Sequence, residues 1–452
     1  MLEGKSVLVL GLGISGRAAA DFLLAQGSKV HAIDDNILNL QKTPEIQSMI
    51  SNGLIIVDRS IDLSKMCVDC VVVSPGISRK HPIYVQALEQ RIQILGEVEL
   101  AFRFLAQKKC KCIGITGTNG KTTVTLLLEH IFNVNGIQAK AVGNSGFPLT
   151  ALLSKFGVKL SETVLFIELS SFQLETAESK ILDAAVILNI KEDHLDRYSS
   201  FEEYAKAKIH LFDCVKLGGS CYIEEECYSN FAKLLNNRTL FPYGYTPANF
   251  IYTDLQDIKI NGKANLEIPL EYRGHRSHDL ENMMAAYGIA VELGITPDKF
   301  IEAFASFKKP EHRLQFVGKI NEITFIDDSK ATNVDAVIRA VESITDPIIL
   351  IAGGVDKGGS YAPWKQAFTG KVLKICTIGQ AAEKIKNDLE GQVQIEHFQT
   401  LESAVIHAAT IAKKNETVLL SPGCSSYDMF SSYAHRGTCF QEIVQELAVY
   451  NK

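Results

Sequence analysis

Lys121 and Thr122 close the run Gly114-Ile115-Thr116-Gly117-Thr118-Asn119-Gly120-Lys121-Thr122-Thr123, whose residue types suit phosphate chemistry. Glycines let backbone N–H groups come close to an oxyanion, a lysine reaches terminal phosphates, and a threonine hydroxyl ligates Mg2+. The usual spacing, G-x-x-x-x-G-K-[ST], asks for glycine at 115, where isoleucine stands, so a chance Gly-rich turn is the alternative. The strand-like Lys111-Cys112-Ile113 before the run and the apolar-periodic Val124 to Val134 after it supply the strand and helix that a phosphate loop needs. The run is therefore read as the loop of an ATP user.

A second glycine loop, Gly11-Leu12-Gly13-Ile14-Ser15-Gly16, fits the dinucleotide fingerprint G-x-G-x-x-G, and the next strand-like run ends at Asp34-Asp35, where a ribose-binding acid belongs. Alone it predicts an NAD enzyme, or a tight turn with no ligand. Its backbone suits any diphosphate equally. With a separate ATP loop downstream, a nucleotide-bearing substrate is the better reading.

Other chemistry-bearing residues also follow apolar runs. Glu168 ends the run Val164 to Ile167, where a carboxylate can hold a metal against ATP oxygens; a charge at a helix N-terminus is the alternative. His194 lies in Asn189-Ile190-Lys191-Glu192-Asp193-His194-Leu195-Asp196-Arg197-Tyr198, past the apolar Ala185 to Leu188; a lone histidine is usually structural, but one at a strand end flanked by acids and an arginine reads as a metal or substrate contact. Lys208, in the helical pattern Phe201 to Phe212, reads by itself as a solvated helix lysine. Asp327-Asp328-Ser329-Lys330-Ala331-Thr332-Asn333 suits a polar substrate or a solvated turn equally. Gly353-Gly354-Val355-Asp356-Lys357-Gly358-Gly359 puts one lysine in a glycine loop, in reach of an anion. Cys424 has no histidine nearby in sequence to activate it and reads as a small buried residue. Cys67 and Cys70 form a lone C-x-x-C beside Val71-Val72-Val73, which reads as a buried strand rather than a zinc or redox pair.

The elements that must position these residues repeat one pattern: a continuous apolar run, a Gly- or Ser-containing loop, then a helical stretch. Val7 to Leu10, Val71 to Val73, Ile348 to Ile351 and Val418 to Leu420 all behave so. Such runs are buried on both faces, as in parallel sheets covered by helices, whose ligands sit beyond the carboxyl ends of the strands. A chain of 452 residues is too long for one core and suggests three domains. Breaks are expected between Leu95 and Lys109, beside a helical stretch Glu97 to Leu105, and near Lys308-Lys309-Pro310, where proline ends a helix and new strands begin at Val317. Residues 239–272 read as short strands and turns. The net charge of −6 argues against nonspecific nucleic-acid binding, and no apolar run approaches a membrane span. The N-terminus opens into a strand rather than a leader, so a cytoplasmic protein with reduced cysteines is expected.

Taken together, these motifs resemble the Mur ligases, the ATP-dependent amide-forming enzymes of peptidoglycan precursor synthesis, from Gly11 to Gly437. Thr116-Gly117-Thr118-Asn119-Gly120-Lys121-Thr122 is similar to the family's own phosphate loop. The set Ser74-Pro75-Gly76, Glu168 to Gln173, Asp328 to Asn333 and Ser421-Pro422 through Ser425-Ser426, Asp428-Met429-Phe430 and Arg436-Gly437 resembles the D-glutamate-adding branch. The resemblance implies an α/β fold in three domains. These are a Rossmann-like N-terminal domain (1–96), a central P-loop-type ATPase domain (97–309) and a Rossmann-like C-terminal domain (310–452). It implies ATP-dependent addition of D-glutamate to UDP-N-acetylmuramoyl-L-alanine through an acyl phosphate, by a monomer using two Mg2+.

The same resemblance assigns roles. Gly117, Thr118, Asn119, Gly120, Lys121, Thr122, Thr123, Asn282, Arg313 and Asp328 would bind ATP. Gly13, Ile14, Ser15, Asp34, Ser74, Gly76, Asn144 and His194 would bind the UDP substrate. Lys330, Thr332, Lys357, Ser426, Tyr427 and Tyr433 would bind D-glutamate. Lys121, Glu168, His194 and Lys208 would be catalytic, with Thr122, Glu168, His194 and a carbamylated Lys208 holding the metal ions. His278-Asp279 stands where the family often has His-Asn, and Tyr433 where phenylalanine is common. Relatives adding L-alanine, a diamino acid, a dipeptide, or glutamate to folate are the nearest rivals. An NAD-dependent dehydrogenase and a non-catalytic nucleotide-binding module are rivals of other classes.

Overall fold

The computed structural model describes residues 2–144, 147–156, 159–235, 238–261 and 265–450, so Ser145 and Gly146 of the Asn144 motif lie outside the described residues. The continuous apolar runs become buried strands, as expected from residues with no polar side to present to water: Ser6–Leu10, Cys70–Val73, Ile348–Gly353 and Thr417–Leu420. The chain divides into two compact units, Met1–Ile190 with Ala205–Phe307, and Lys191–Tyr204 with Lys308–Lys452.

The first unit holds two sheets. One has five parallel strands, with Ser6–Leu10 flanked by Lys29–Ile33 on one side and Cys70–Val73 on the other. The connections diverge at that central strand, which puts a topological switch point above it, the usual ligand crevice of such sheets. The other sheet has nine strands, in which Lys111–Thr116 lies between Val164–Glu168 and Leu182–Ile187, all parallel. Residues 239–272 add the short strands Leu240–Gly244, Ile251–Thr253, Asp257–Ile260 and Leu266–Glu267 to its far edge, the last two pairings antiparallel.

The helix Glu97–Leu105 forms as its sequence predicts and is fastened by two buried acids. Glu97 accepts from the Thr150 amide and hydroxyl, and Glu99 from the Glu178 and Ser179 amides. Burial, the largest influence, raises the Glu97 pKa.

The second unit is built on six strands, parallel except for the hairpin Gln315–Ile320 with Ile323–Asp327. Pro310 does not end a helix. The preceding helix, Pro297–Ala305, stops at its C-cap Ser306, and the hairpin starts at Gln315 rather than Val317. Among the described residues no helix is long and apolar enough to cross a membrane.

Candidate active site

The strand Lys111–Thr116 delivers the chain into the phosphate loop, and the helix Lys121–Val134 leaves it. The helix forms because Val124, Leu127, Leu128 and Ile131 make one buried stripe. Its N-cap, Gly120, has φ +86, a left-handed conformation that suits glycine, and a Cβ there would stand 2.4 Å from Asn282 Oδ1. The buried Asn282 side chain thus lies directly over the loop.

Asn189, which the sequence reading did not single out, fixes the loop's shape. Its carbonyl accepts from the Thr118 amide at 2.9 Å and its Oδ1 from the Asn119 amide at 2.8 Å, while its Nδ2 donates to the Asn119 carbonyl at 3.1 Å. The only signal in the sequence was an asparagine just past an apolar strand.

Two cations meet at this loop. Lys121 Nζ donates to the carbonyls of Gly117 (2.8 Å) and Thr118 (2.9 Å). Lys208, on the helix Phe201–Ile209, donates to the same Gly117 carbonyl at 2.8 Å and is only 2% exposed. The reading of Lys208 alone as a solvated helix lysine is therefore overturned: the face of the helix that carries it turns toward the phosphate loop.

Glu168 ends its strand opposite Ile115 in parallel register, so a buried carboxylate stands at the same sheet edge as the loop. Asn144, one strand over, donates to Glu168 Oε1 at 3.2 Å. Among the described residues no group of three or more His, Cys, Asp or Glu side chains makes a metal cage. The donors at this edge, the Thr122 hydroxyl and the Glu168 carboxylate, are instead hard oxygens, the set that binds Mg2+ when phosphates and water complete its shell.

In the five-stranded sheet the loop after Ser6–Leu10 is closely folded. A Cβ on Gly16 would lie 1.8 Å from the Gly11 carbonyl oxygen, and Ser74 Oγ donates to that oxygen at 2.7 Å. Asp34 uses its two oxygens on backbone amides, Leu12 at 2.6 Å and Asn36 at 2.7 Å, so it shapes the loop. Gly13, Ile14 and Gly76 are exposed at the crevice, and Ser15 is half-buried.

In the second unit three of the loops come from adjacent strands. Asp327, Leu420 and Ile351 are in register, so the loops after them start at one level. The loops are cross-bonded: Gly423 N to Ala331 O at 2.8 Å, Gly353 N to Pro422 O at 2.8 Å, and Val355 N to Ser425 O at 2.8 Å. The fully buried Arg436 ties all three, donating to Ser329 Oγ (3.0 Å) and Ser329 O (2.9 Å), to Cys424 O (3.2 Å) and to Gly353 O (3.4 Å). Desolvation lowers its pKa to about 10.

These loops bring Lys330, Thr332, Lys357 and Ser426 to one edge of the sheet. Lys330 Nζ lies 5.0 Å from the centre of the Tyr433 ring, and Lys357 pairs with Asp193 at 3.1 Å. Tyr427 is 75% exposed. The solvated-turn alternative for 327–333 fails, because Asp327, Asp328, Ser329 and Asn333 are buried. Burial, the largest cause, raises the Asp328 pKa to about 7, against the hydrogen bonds from Ser421 and the Leu314 amide and the charge of Arg313. Cys424 is buried, as expected, with its thiol pushed up to about 12 chiefly by desolvation, 3.0 Å from the Tyr361 hydroxyl. Cys70 is buried in its strand, and Cys67 is exposed. Thr122, Glu168, Lys208, Asn144 and Asn282 belong to the first unit, whereas His194, at φ +57, Arg313 and Asp328 belong to the second.

Parallel sheets that carry glycine loops and buried polar groups at their strand ends are what a nucleotide-dependent ligase is built on, and the chain belongs to the Mur ligase family. Residues 5–96 match the family model described as Mur ligase MurD-like, N-terminal domain, residues 115–290 the Mur ligase middle domain, and residues 312–424 the Mur ligase, glutamate ligase domain. The chain is 46% identical to the UDP-N-acetylmuramoylalanine--D-glutamate ligase of Protochlamydia amoebophila (strain UWE25) over 98% of each chain. It is 36% identical to the enzyme of the same name from Koribacter versatilis (strain Ellin345), over 100% of this chain and 99% of that one. Its fold matches MurF ligase from Thermotoga maritima in complex with ADP, with a TM-score of 0.61 and 15% identity over 99% of this chain and 96% of that one.

Proposed function

We infer that the protein joins the amine of D-glutamate to the alanine carboxylate of UDP-N-acetylmuramoyl-L-alanine, with ATP converted to ADP and phosphate. The observation that carries this reading is the 46% identity, over 98% of both chains, to a ligase of that name. The register of Glu168 beside Ile115 supplies the matching chemistry at the ATP loop.

A carboxylate is a poor electrophile, so the γ-phosphoryl group is transferred to it first, giving an acyl phosphate. The D-glutamate amine attacks the acyl carbon, and phosphate leaves from the tetrahedral intermediate. Lys121 and the loop amides hold the ATP phosphates and balance charge as two anions approach each other. Glu168 and the Thr122 hydroxyl would hold Mg2+, which would supply charge neutralisation at the phosphoryl oxygens. Asn282, Arg313 and Asp328 are assigned to ATP on the resemblance of their motifs. The first glycine loop, with Ser74 and Asp34, takes the uridine diphosphate. Lys330, Thr332, Lys357, Ser426 and Tyr433 take D-glutamate, a dianion that requires cations and hydroxyls.

Lys208 is assigned as a carbamate that binds a second Mg2+. Carbamylation adds CO2 to the neutral amine with loss of a proton. The product is an anion beside Lys121, where an ammonium would face a second ammonium across one carbonyl. We assign the activity to the cytoplasm on the nucleotide nature of the proposed substrates.

The test is phosphate release with UDP-N-acetylmuramoyl-L-alanine and ATP, run with D-glutamate, L-glutamate, L-alanine and a diamino acid. D-glutamate alone should stimulate it. Stimulation by another amino acid in its place refutes the assignment.

A further inference from the structure

We propose that Asp327 is a positioning residue that, through His312, sets Arg313 and Lys330 in place together. The inference rests on the function above, in which Arg313 faces ATP and Lys330 faces D-glutamate. Asp327 is fully buried at the end of its strand and serves three segments with one carboxylate. Oδ1 accepts from the Ser329 amide at 2.9 Å. Oδ2 meets His312 Nδ1 at 2.6 Å and accepts from Gln441 Nε2, on the C-terminal helix, at 2.7 Å.

His312 is where the two ligand-facing residues join. It precedes Arg313 in the chain, and its carbonyl accepts from the Lys330 amide at 3.1 Å. Its φ is +60 and that of Leu314 is +44, left-handed values that side-chain-bearing residues keep only when their surroundings hold them. The holding groups are successive acids: Asp327 grips the His312 ring, and Asp328 Oδ1 accepts from the Leu314 amide at 3.2 Å, with Arg313 between. The C-terminal helix closes the back of the pair at Gly437, where a Cβ would lie 2.2 Å from His312 Nδ1. A buried anion that loses its grip on His312 therefore releases both the Arg313 backbone and the Lys330 amide.

The experiment compares the full-length protein with Asp327→Ala and Asp327→Asn, measuring the KM of each substrate and the deuterium exchange of peptides covering 329–330. Alanine should raise the KM for ATP and for D-glutamate together, each by about tenfold or more, and leave that for the uridine substrate within about twofold. Asparagine keeps the acceptor for Ser329 and can still hold the His312 ring by donating its amide N–H to a neutral imidazole nitrogen, giving up only the acceptor for Gln441, so it should recover most of both losses. A rise in only one of the two, an equal rise for all three substrates, or an asparagine variant as impaired as alanine overturns the proposal. If the wild type forms no D-glutamate product, the functional reading fails and exchange decides the positioning role. Faster exchange at 329–330 in the alanine variant than in wild type and asparagine supports it, and equal exchange in all three refutes it.

Discussion

Lys121 and Lys208 donate to the same acceptor, the Gly117 carbonyl oxygen, each at 2.8 Å. Carbamylation of Lys208, as proposed, would place an anion beside Lys121 on that shared carbonyl. Protein equilibrated with 13C-labelled bicarbonate should show a carbamate carbon resonance that is missing from Lys208→Ala, and stripping CO2 should lower activity reversibly. A wild type without the resonance and indifferent to CO2 would leave Lys208 as a plain cation.

Lys121 spans the loop between two carbonyls and is the cation assigned to the transferred phosphoryl group. Lys121→Ala should lower kcat by about 10²–10³-fold, the usual loss when one charge-stabilising donor is removed. The uridine substrate should still bind, as read by equilibrium titration, because its loop lies on the other sheet of the unit.

Gly120 and Gly136 flank one helix with similar dihedrals, φ +86 and +75, but only Gly120 has a neighbour that a Cβ would strike. Gly136→Ala should cost about 1 kcal/mol of backbone strain and leave the ATP KM alone. Gly120→Ala must also displace Asn282, so a loss of about 2–4 kcal/mol and a raised ATP KM are expected from denaturant titration and steady-state kinetics.

Asp328 makes stability depend on pH. Its pKa is about 7 in the folded protein against an ordinary value of 3.8, so across that interval the folded chain keeps a proton that the unfolded chain has released. Stability from this group is complete below the lower value, falls as pH rises through the interval and levels off above about 7. Asp328→Asn removes the titration. Urea midpoints at about pH 5 and about pH 8 should differ less in the variant than in wild type. An unchanged difference would assign the slope to other groups.

What the sequence disclosed was local. Apolar runs followed by Gly, Ser or an acid named the phosphate loop, the Glu168 edge and the three loops of the second unit, because a strand buried on both faces must present its chemistry at its end. What it hid depends on groups far apart in the chain. Lys208 reads as an outward lysine because its acceptor, Gly117, is 91 positions away. The grip of Asn189 on the phosphate loop, 70 positions away, arises only when strands distant in sequence become neighbours, and that of Asp327 on His312 only when the hairpin Gln315–Ile320 with Ile323–Asp327 closes. Pro310 misled for the opposite reason: a strong local breaker stood five residues beyond a helix that had already ended at Ala305.

Arg436 gives its pocket a particular temperament. Loops fastened to one buried guanidinium do not rearrange one at a time, so the walls around Lys330, Lys357 and Ser426 are set before any ligand arrives. Little ordering is then left to oppose binding. On the proposed function, an amino acid of the wrong hand or charge would meet a mould that does not yield to it, and selectivity would come by exclusion.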